Sequence, residues 1–422
     1  MFEKSDLILP NWKFIPIGLL VFLLPSVAVS VKSGATSVFL LILVPSLIFA
    51  WMSLEKLFKE EKFLLSCFLL YVLLVGFSLI NSSDLNEGFG SYERFLRFVV
   101  FIPMYMFVRK YSLELGPWIA WGLVLGCAVT GMVAIYQHHW LDVARPGGAR
   151  HWSRYGLTAV SIFLLLSLAI IFEYRKTKFL VLGLISAVII LYAIKLNQTR
   201  AAMLSVVPFI GLLGFYFINK FNKKTALVFA LFGVAIAVVF LHPSSPVAQS
   251  FLQGINELQN MAKNPSENYS SSWGLRPHMM HTGVLIFLQS PIIGTGLGDY
   301  ALDAQALMDS GRTYIKDGWL LTSPHNIYVS ILAEAGLLGF VGFIMAVCIA
   351  PIHCYWKIYK QYGQSPRIAY LVLSGVTTSI CFLLFGFFHT WININNAVSI
   401  FLLLHLVFLS NAFNLIQKNK AV

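Results

Sequence analysis

Residues 156–200 read GLTAVSIFLLLSLAIIFEYRKTKFLVLGLISAVIILYAIKLNQTR. Two runs in this stretch, 156–173 and 179–195, are almost wholly apolar, and Arg175, Lys176 and Lys178 crowd the few residues between them. A bilayer core of about 30 Å takes about 20 apolar residues of helix to cross. The stretch therefore predicts a transmembrane hairpin whose basic turn faces the cytoplasm. The second run ends in Lys195, Asn197, Gln198, Thr199 and Arg200, a polar cluster on the opposite side.

The same window applied outward gives spans near 14–31, 35–52, 63–80, 95–108, 117–136, 156–173, 179–195, 201–218, 226–241, 326–350, 368–388 and 394–415. Lys4 and Lys13 precede the first as they would a signal peptide, but the run is longer than an h-region and is expected to be a span. The expected fold is an all-α polytopic integral membrane protein of about 12 transmembrane helices. Composition agrees: 58% of residues are hydrophobic and 11% charged, whereas soluble domains carry about 25% charge. A single water-soluble globule is excluded. The expected organisation is residues 1–241 with nine spans, an outer loop at 242–325, and 326–422 with three spans and a cytoplasmic tail.

A net charge of +12 raises the question of nucleic acid. With the N-terminus inside, 18 of the 30 Lys and Arg residues fall in cytoplasmic segments. The excess therefore follows the positive-inside rule. It implies membrane lipids as partners and no nucleic acid, with both termini in the cytoplasm. Cys67, Cys127, Cys348, Cys354 and Cys381 lie in or beside apolar runs, without the spacing of a disulfide framework or a zinc site.

In the long loop, Val247, Phe251, Ile255, Leu258 and Met261 recur at helical spacing, as in a helix lying on an apolar surface. A second helix is expected from Pro277 to Gln289, then a Gly-rich turn at Gly294–Gly298 and a short helix near 300–310.

Charged side chains at the edge of the hydrocarbon are costly and mark candidate sites. Arg200 opens the eighth span beside Ala201 and Ala202. A helix N-terminus with a guanidinium suits a phosphate, and the same placement suits an arginine snorkelling to lipid headgroups. Arg276 directly precedes Pro277, the residue favoured at the first helical position, so it too is expected at a helix start. An ordinary loop arginine has the same features. His325 sits where the long loop meets the tenth span, and an imidazole titrates near neutrality as a general base requires. A lone interfacial histidine also fits a structural role. Glu334 lies about 13 Å further along the helix by its rise, and is expected to be a structural hydrogen-bond acceptor. His278 and His281 have no carboxylate or third ligand in sequence range, so no metal site is expected there. The connector 137–155 gathers Arg145, Arg150 and Arg154 with His138, His139 and His151, either as anion contacts or as a headgroup patch.

Taken in order, these segments resemble the O-antigen ligase and O-antigen polymerase superfamily. Gln198–Thr199–Arg200–Ala201 looks like its Thr-Arg signature. Arg276, a helix, and Ser290–Pro291–Ile292–Ile293–Gly294–Thr295–Gly296 are similar to its arginine, helix and Pro-x-x-Gly-x-Gly run. His325–Asn326, Leu332, Glu334, Gly336 and Gly339 look like its His-Asn…Glu-x-Gly-x-x-Gly motif, and Tyr155–Gly156 resembles its Tyr-Gly helix start. The resemblance covers roughly residues 140 to 345, and its Gln-Thr-Arg form is closer to the ligase branch.

The resemblance implies a multi-helix membrane glycosyltransferase of a bacterial inner membrane, working on the periplasmic side with neither metal nor cofactor. The implied donor is O antigen on undecaprenyl diphosphate, and the implied acceptor is lipid A–core. His325 would be the base and Arg200 and Arg276 would hold the diphosphate, with Arg145 and Arg154 as further phosphate contacts. An O-antigen polymerase, whose acceptor is another polyprenyl-linked repeat, has the same features. A polysaccharide or lipid transporter is disfavoured because the halves do not match and the suspect residues gather on one face.

Overall fold

The computed structural model describes residues 14–49, 56–149, 151–173, 177–218, 272–313 and 321–421, with four single positions between 249 and 259. Every regular element among them is helical. In chain order these are α1 (Ile15–Ser30), α2 (Gly34–Phe49), α3 (Lys59–Gly76), α4 (Leu85–Lys110), α5 (Gly116–His139), α6 (Trp152–Glu173) and α7 (Thr177–Asn197). They continue as α8 (Arg200–Met203), α9 (Val206–Ile218), α10 (Ser272–Phe287), α11 (Tyr300–Asp309), α12 (Ile327–Phe343), α13 (Ala350–Tyr362), α14 (Pro366–Gly386) and α15 (Asn395–Ala421).

Seven helices are long and apolar enough to cross a bilayer: Lys59–Asn81, Gly116–His139, Trp152–Phe172, Thr177–Asn197, Ile327–Tyr362, Pro366–Gly386 and Asn395–Lys420. The chain is thus an all-helical polytopic membrane protein. The expected number of twelve is not reached among the described residues. Ile15–Ser30, Gly34–Phe49 and Ala201–Phe217 are apolar but shorter, and the expected span at 226–241 lies outside the described residues. So does most of the expected surface helix at 247–263.

Small residues let the helices approach closely where lipid offers no hydrophobic gain for their association. A Cβ on Gly122 of α5 would stand 2.3 Å from the Phe22 carbonyl oxygen of α1, and one on Gly126 would stand 2.5 Å from Pro25. Elsewhere in the bundle, α3, α4 and α15 are joined by a buried ion pair. Arg109 Nε donates to Glu61 Oε1 at 2.5 Å, the Tyr105 hydroxyl donates to the same oxygen at 2.6 Å, and Asn414 accepts a second guanidinium N–H. Both members of the Arg109–Glu61 pair are buried inside the bundle. Removal of one partner would strand a buried charge.

Two clamps organise the opposite end. In the first, α12 loses helical geometry at Gly336, where φ is 61° and ψ −164°. Non-helical backbone at membrane depth persists only where its polar groups find partners. Here the Leu337 and Leu338 N–H groups donate to the carbonyls of Pro291 and Ile292 at 2.8 and 3.0 Å. The carbonyls of Ala333 and Glu334 in turn accept from Thr295 and Gly296 at 3.1 and 3.3 Å. Glu334 also accepts from Gly298 N–H and Ser330 Oγ, both at 3.0 Å, which is the structural acceptor role expected of it. Asn81 Nδ2 donates to the Gly294 carbonyl at 2.8 Å and Ser83 N–H to Asp299 at 2.7 Å, so the 290–299 loop is held from both sides.

The second clamp joins α6 to the end of α7. Asn197 Nδ2 donates to the carbonyls of Pro146 and Trp152 at 2.7 and 2.9 Å, and Thr199 Oγ1 donates to Asn197 Oδ1. Gly156 makes room for this, since a Cβ there would lie 2.3 Å from Asn197 Oδ1.

Gly336→Ala tests the first clamp. The added Cβ would meet the Gly294 nitrogen and the Ile292 carbonyl at 2.5 Å, in a backbone region that costs a non-glycine residue about 1–3 kcal/mol. A lower melting temperature and faster proteolysis within 290–298 are expected in detergent. An unchanged melting curve contradicts the clamp.

Candidate functional site

His325 ends the long loop in a left-handed conformation, φ 49°. Its N–H donates to Ser323 Oγ at 3.1 Å, and the next residue, Asn326, caps α12 by accepting from the N–H groups of Tyr328 and Val329 at 3.0 and 3.1 Å. The cap fixes where the chain enters the helix, and thereby where the imidazole projects. No carboxylate holds the ring among the described residues.

The connector between α14 and α15 forms the adjoining wall. Ser323 and Thr390 share a hydroxyl–hydroxyl hydrogen bond of 3.0 Å. The His389 ring lies edge-on to His325 with centroids 5.5 Å apart. One residue earlier, the ring of Phe388 lies 5.9 Å from the Arg276 guanidinium. This wall was not expected from the sequence. A histidine in a short connector with no periodicity carries no local signal, and its meaning comes only from contact with the His325 turn.

Arg276 is half-buried, and burial pushes its guanidinium down from its ordinary value. Its expected place at a helix start is corrected: α10 begins at Ser272, and Pro277 lies inside the helix. The ring at 277 still removes one backbone donor, but the first turn forms upstream, so no helix dipole supports Arg276. The guanidinium alone supplies the charge.

Burial lowers the His325 pKa below its ordinary value, helped by the positive charges of Arg276, Arg154 and His151. His389 is lowered further, to about 3, by burial and then by His325, Arg154, Arg276 and His151. Groups that act on one another in this way share one electrostatic environment. Through Phe388 and His389 the connector touches both Arg276 and His325 at one end of the bundle, and Arg154 and His151 add positive charge to the field there.

The remaining candidates differ. Arg145 donates to the carbonyls of Asn197 and Gln198 at 3.3 and 3.1 Å, and its guanidinium lies 3.4 Å from the centre of the Trp152 ring. It braces the second clamp. Arg154, at the start of α6, keeps a buried Nε without a hydrogen-bond partner. Arg200 opens α8, a helix of only four residues followed by a turn, so the long-helix dipole expected behind it is absent. Its side chain lies outside the described residues, as does Arg150.

A cluster of guanidinium groups without carboxylates binds an anion, and a neutral imidazole beside it can accept a proton. Residues 185–344 match the family described as O-antigen ligase. The chain is also 24% identical over 209 residues to the O-antigen ligase of Escherichia coli strain K12. The match covers 49% of this chain and 48% of the relative, so the chain spans about half the length of that protein. Together the motifs, the family match and the relative support the O-antigen ligase superfamily for this membrane protein.

Proposed function

We propose that the protein is an inverting, metal-independent glycosyltransferase that moves O antigen from undecaprenyl diphosphate to lipid A–core on the periplasmic side of a bacterial inner membrane. The observation that carries this is the α14–α15 connector that touches both the Arg276 guanidinium and the His325 ring, beside the start of a membrane helix; the charge of Arg154 acts on the same imidazole. His325 takes the proton of the acceptor hydroxyl. The oxygen then bonds to the anomeric carbon from the face opposite the leaving group, and the bond from that carbon to the diphosphate oxygen breaks. Arg276, with Arg154 and Arg200, offsets the charge that develops on the departing diphosphate. Arg145 acts through the loop it braces.

The positive neighbours serve both halves of this chemistry. They attract the diphosphate, and they disfavour imidazolium, so His325 remains free to accept a proton at neutral pH. Purified protein supplied with donor plus lipid A–core, or with donor alone, separates ligation from polymerisation by the product formed.

Three outcomes are expected. His325→Ala, with the protein still present in the membrane, abolishes capping of lipid A–core; an unchanged lipopolysaccharide ladder removes the base assignment. Arg276→Lys keeps the charge but loses the planar fork, and kcat/KM for the lipid-linked donor should fall about tenfold; a near-normal value argues against a bidentate contact. The active form of His325 is deprotonated, so activity is lost as pH falls through its pKa, which lies below the ordinary histidine value. Arg154→Gln removes a positive charge, raises that pKa and moves the acid limb of kcat/KM to higher pH. An acid limb that stays in place contradicts the electrostatic coupling.

A further inference from the structure

Buried polar atoms in folded proteins almost always have hydrogen-bond partners. On the connector that meets His325, two do not: Nδ1 of His389, whose ring lies against His325, and Nε1 of Trp391. They stand two residues apart on the connector between α14 and α15, with ring centroids 6.1 Å apart. The connector does not swing independently of the site, because Thr390 is tied to Ser323 at 3.0 Å, next to the turn that carries His325.

We propose that this connector holds the sugar of the lipid-linked substrate, with His389 Nδ1 hydrogen-bonding a hydroxyl of the glycosyl ring beside the bond that breaks. The proposal rests on the glycosyl-transfer function above and names the part of the site that recognises the sugar. The chemistry of the two atoms selects this ligand. A diphosphate is bound by cations, whereas His389 stays neutral among its positive neighbours and Trp391 offers only an uncharged N–H. Neutral polar atoms set between aromatic faces match a sugar, which presents hydroxyls at its edge and C–H groups on its face. The order along the chain also matches a glycosyl diphosphate. Phe388 meets the Arg276 guanidinium and His389 meets His325, so the cation and the base contact neighbouring residues of the connector, as the phosphate and the anomeric carbon are joined through one oxygen.

The test uses the full chain in lipid nanodiscs and two probes, undecaprenyl diphosphate and the same lipid carrying one N-acetylglucosamine. His389→Phe keeps a ring against His325 and removes both nitrogens; His389→Asn places an amide near the former Nδ1; His389→Gln places it near Nε2. The unsubstituted protein is expected to bind the glycosylated lipid more tightly than the bare one. His389→Phe should weaken binding of the glycosylated lipid about 3- to 10-fold and leave the bare lipid unchanged, as loss of one hydrogen bond requires. His389→Asn should retain most of the affinity and His389→Gln should not, a pattern that decides the matter even if the Phe variant fails to fold. The proposal is overturned by equal affinity of the unsubstituted protein for the two lipids. Equal losses for both lipids in the Phe variant, or equal behaviour of the Asn and Gln variants, overturn it as well. Absence of glycan transfer by the unsubstituted protein counts against the proposed reaction alone, because the binding comparison needs no turnover.

Discussion

Four backbone hydrogen bonds between the 291–296 loop and the interruption of α12 at Gly336 determine much of what lies above them. A helix broken at membrane depth exposes donors and acceptors that lipid cannot satisfy. The loop supplies their partners, and the helix supplies the loop with a platform. Positive φ at Gly294, Gly296 and Gly336 lets the two backbones approach within hydrogen-bonding distance. Glu334 adds a side-chain acceptor for Gly298 N–H, which makes the two glycine-containing motifs a single structural unit. Because α10 feeds directly into this loop and His325 immediately precedes the Asn326 cap of α12, the clamp links Arg276 to His325 through rigid elements.

Charge is distributed with a similar division of labour. The deep pair of Glu61 and Arg109 is neutralised and hydrogen-bonded within the bundle, where it joins three helices. At the site end, Arg276 and Arg154 have no carboxylate partner among the described residues. Arg276 lies against the face of Phe388, and Arg154 keeps an unpartnered nitrogen. Holding such groups in a partly buried place costs stability, and a bound anion offsets that cost.

Membrane folds are legible in sequence because crossing a bilayer demands long apolar runs, and 156–200 alone identified the class. Most expected spans among the described residues fall on helices, and the turn at Gly294–Gly298 and the short helix near 300–310 have the expected form. Errors arose where a local signal had two physical meanings. Pro277 is favoured at a first helical position, yet it lies inside α10, and the dipole expected behind Arg276 vanished. Arg145 carried the same charge as Arg154, but carbonyls of the α7 end claim it. His389 and Trp391 could not be found at all, because their significance comes from a contact between distant connectors.

The central claim is that these outer-end groups form one diphosphate and proton-transfer site. The most direct measurement is a structure of the full chain in nanodiscs with undecaprenyl diphosphate bound. The diphosphate is predicted to bridge Arg276 and Arg154, with His325 beside its terminal phosphate. A diphosphate bound elsewhere, with Arg276 and Arg154 left without an anion, would contradict the account.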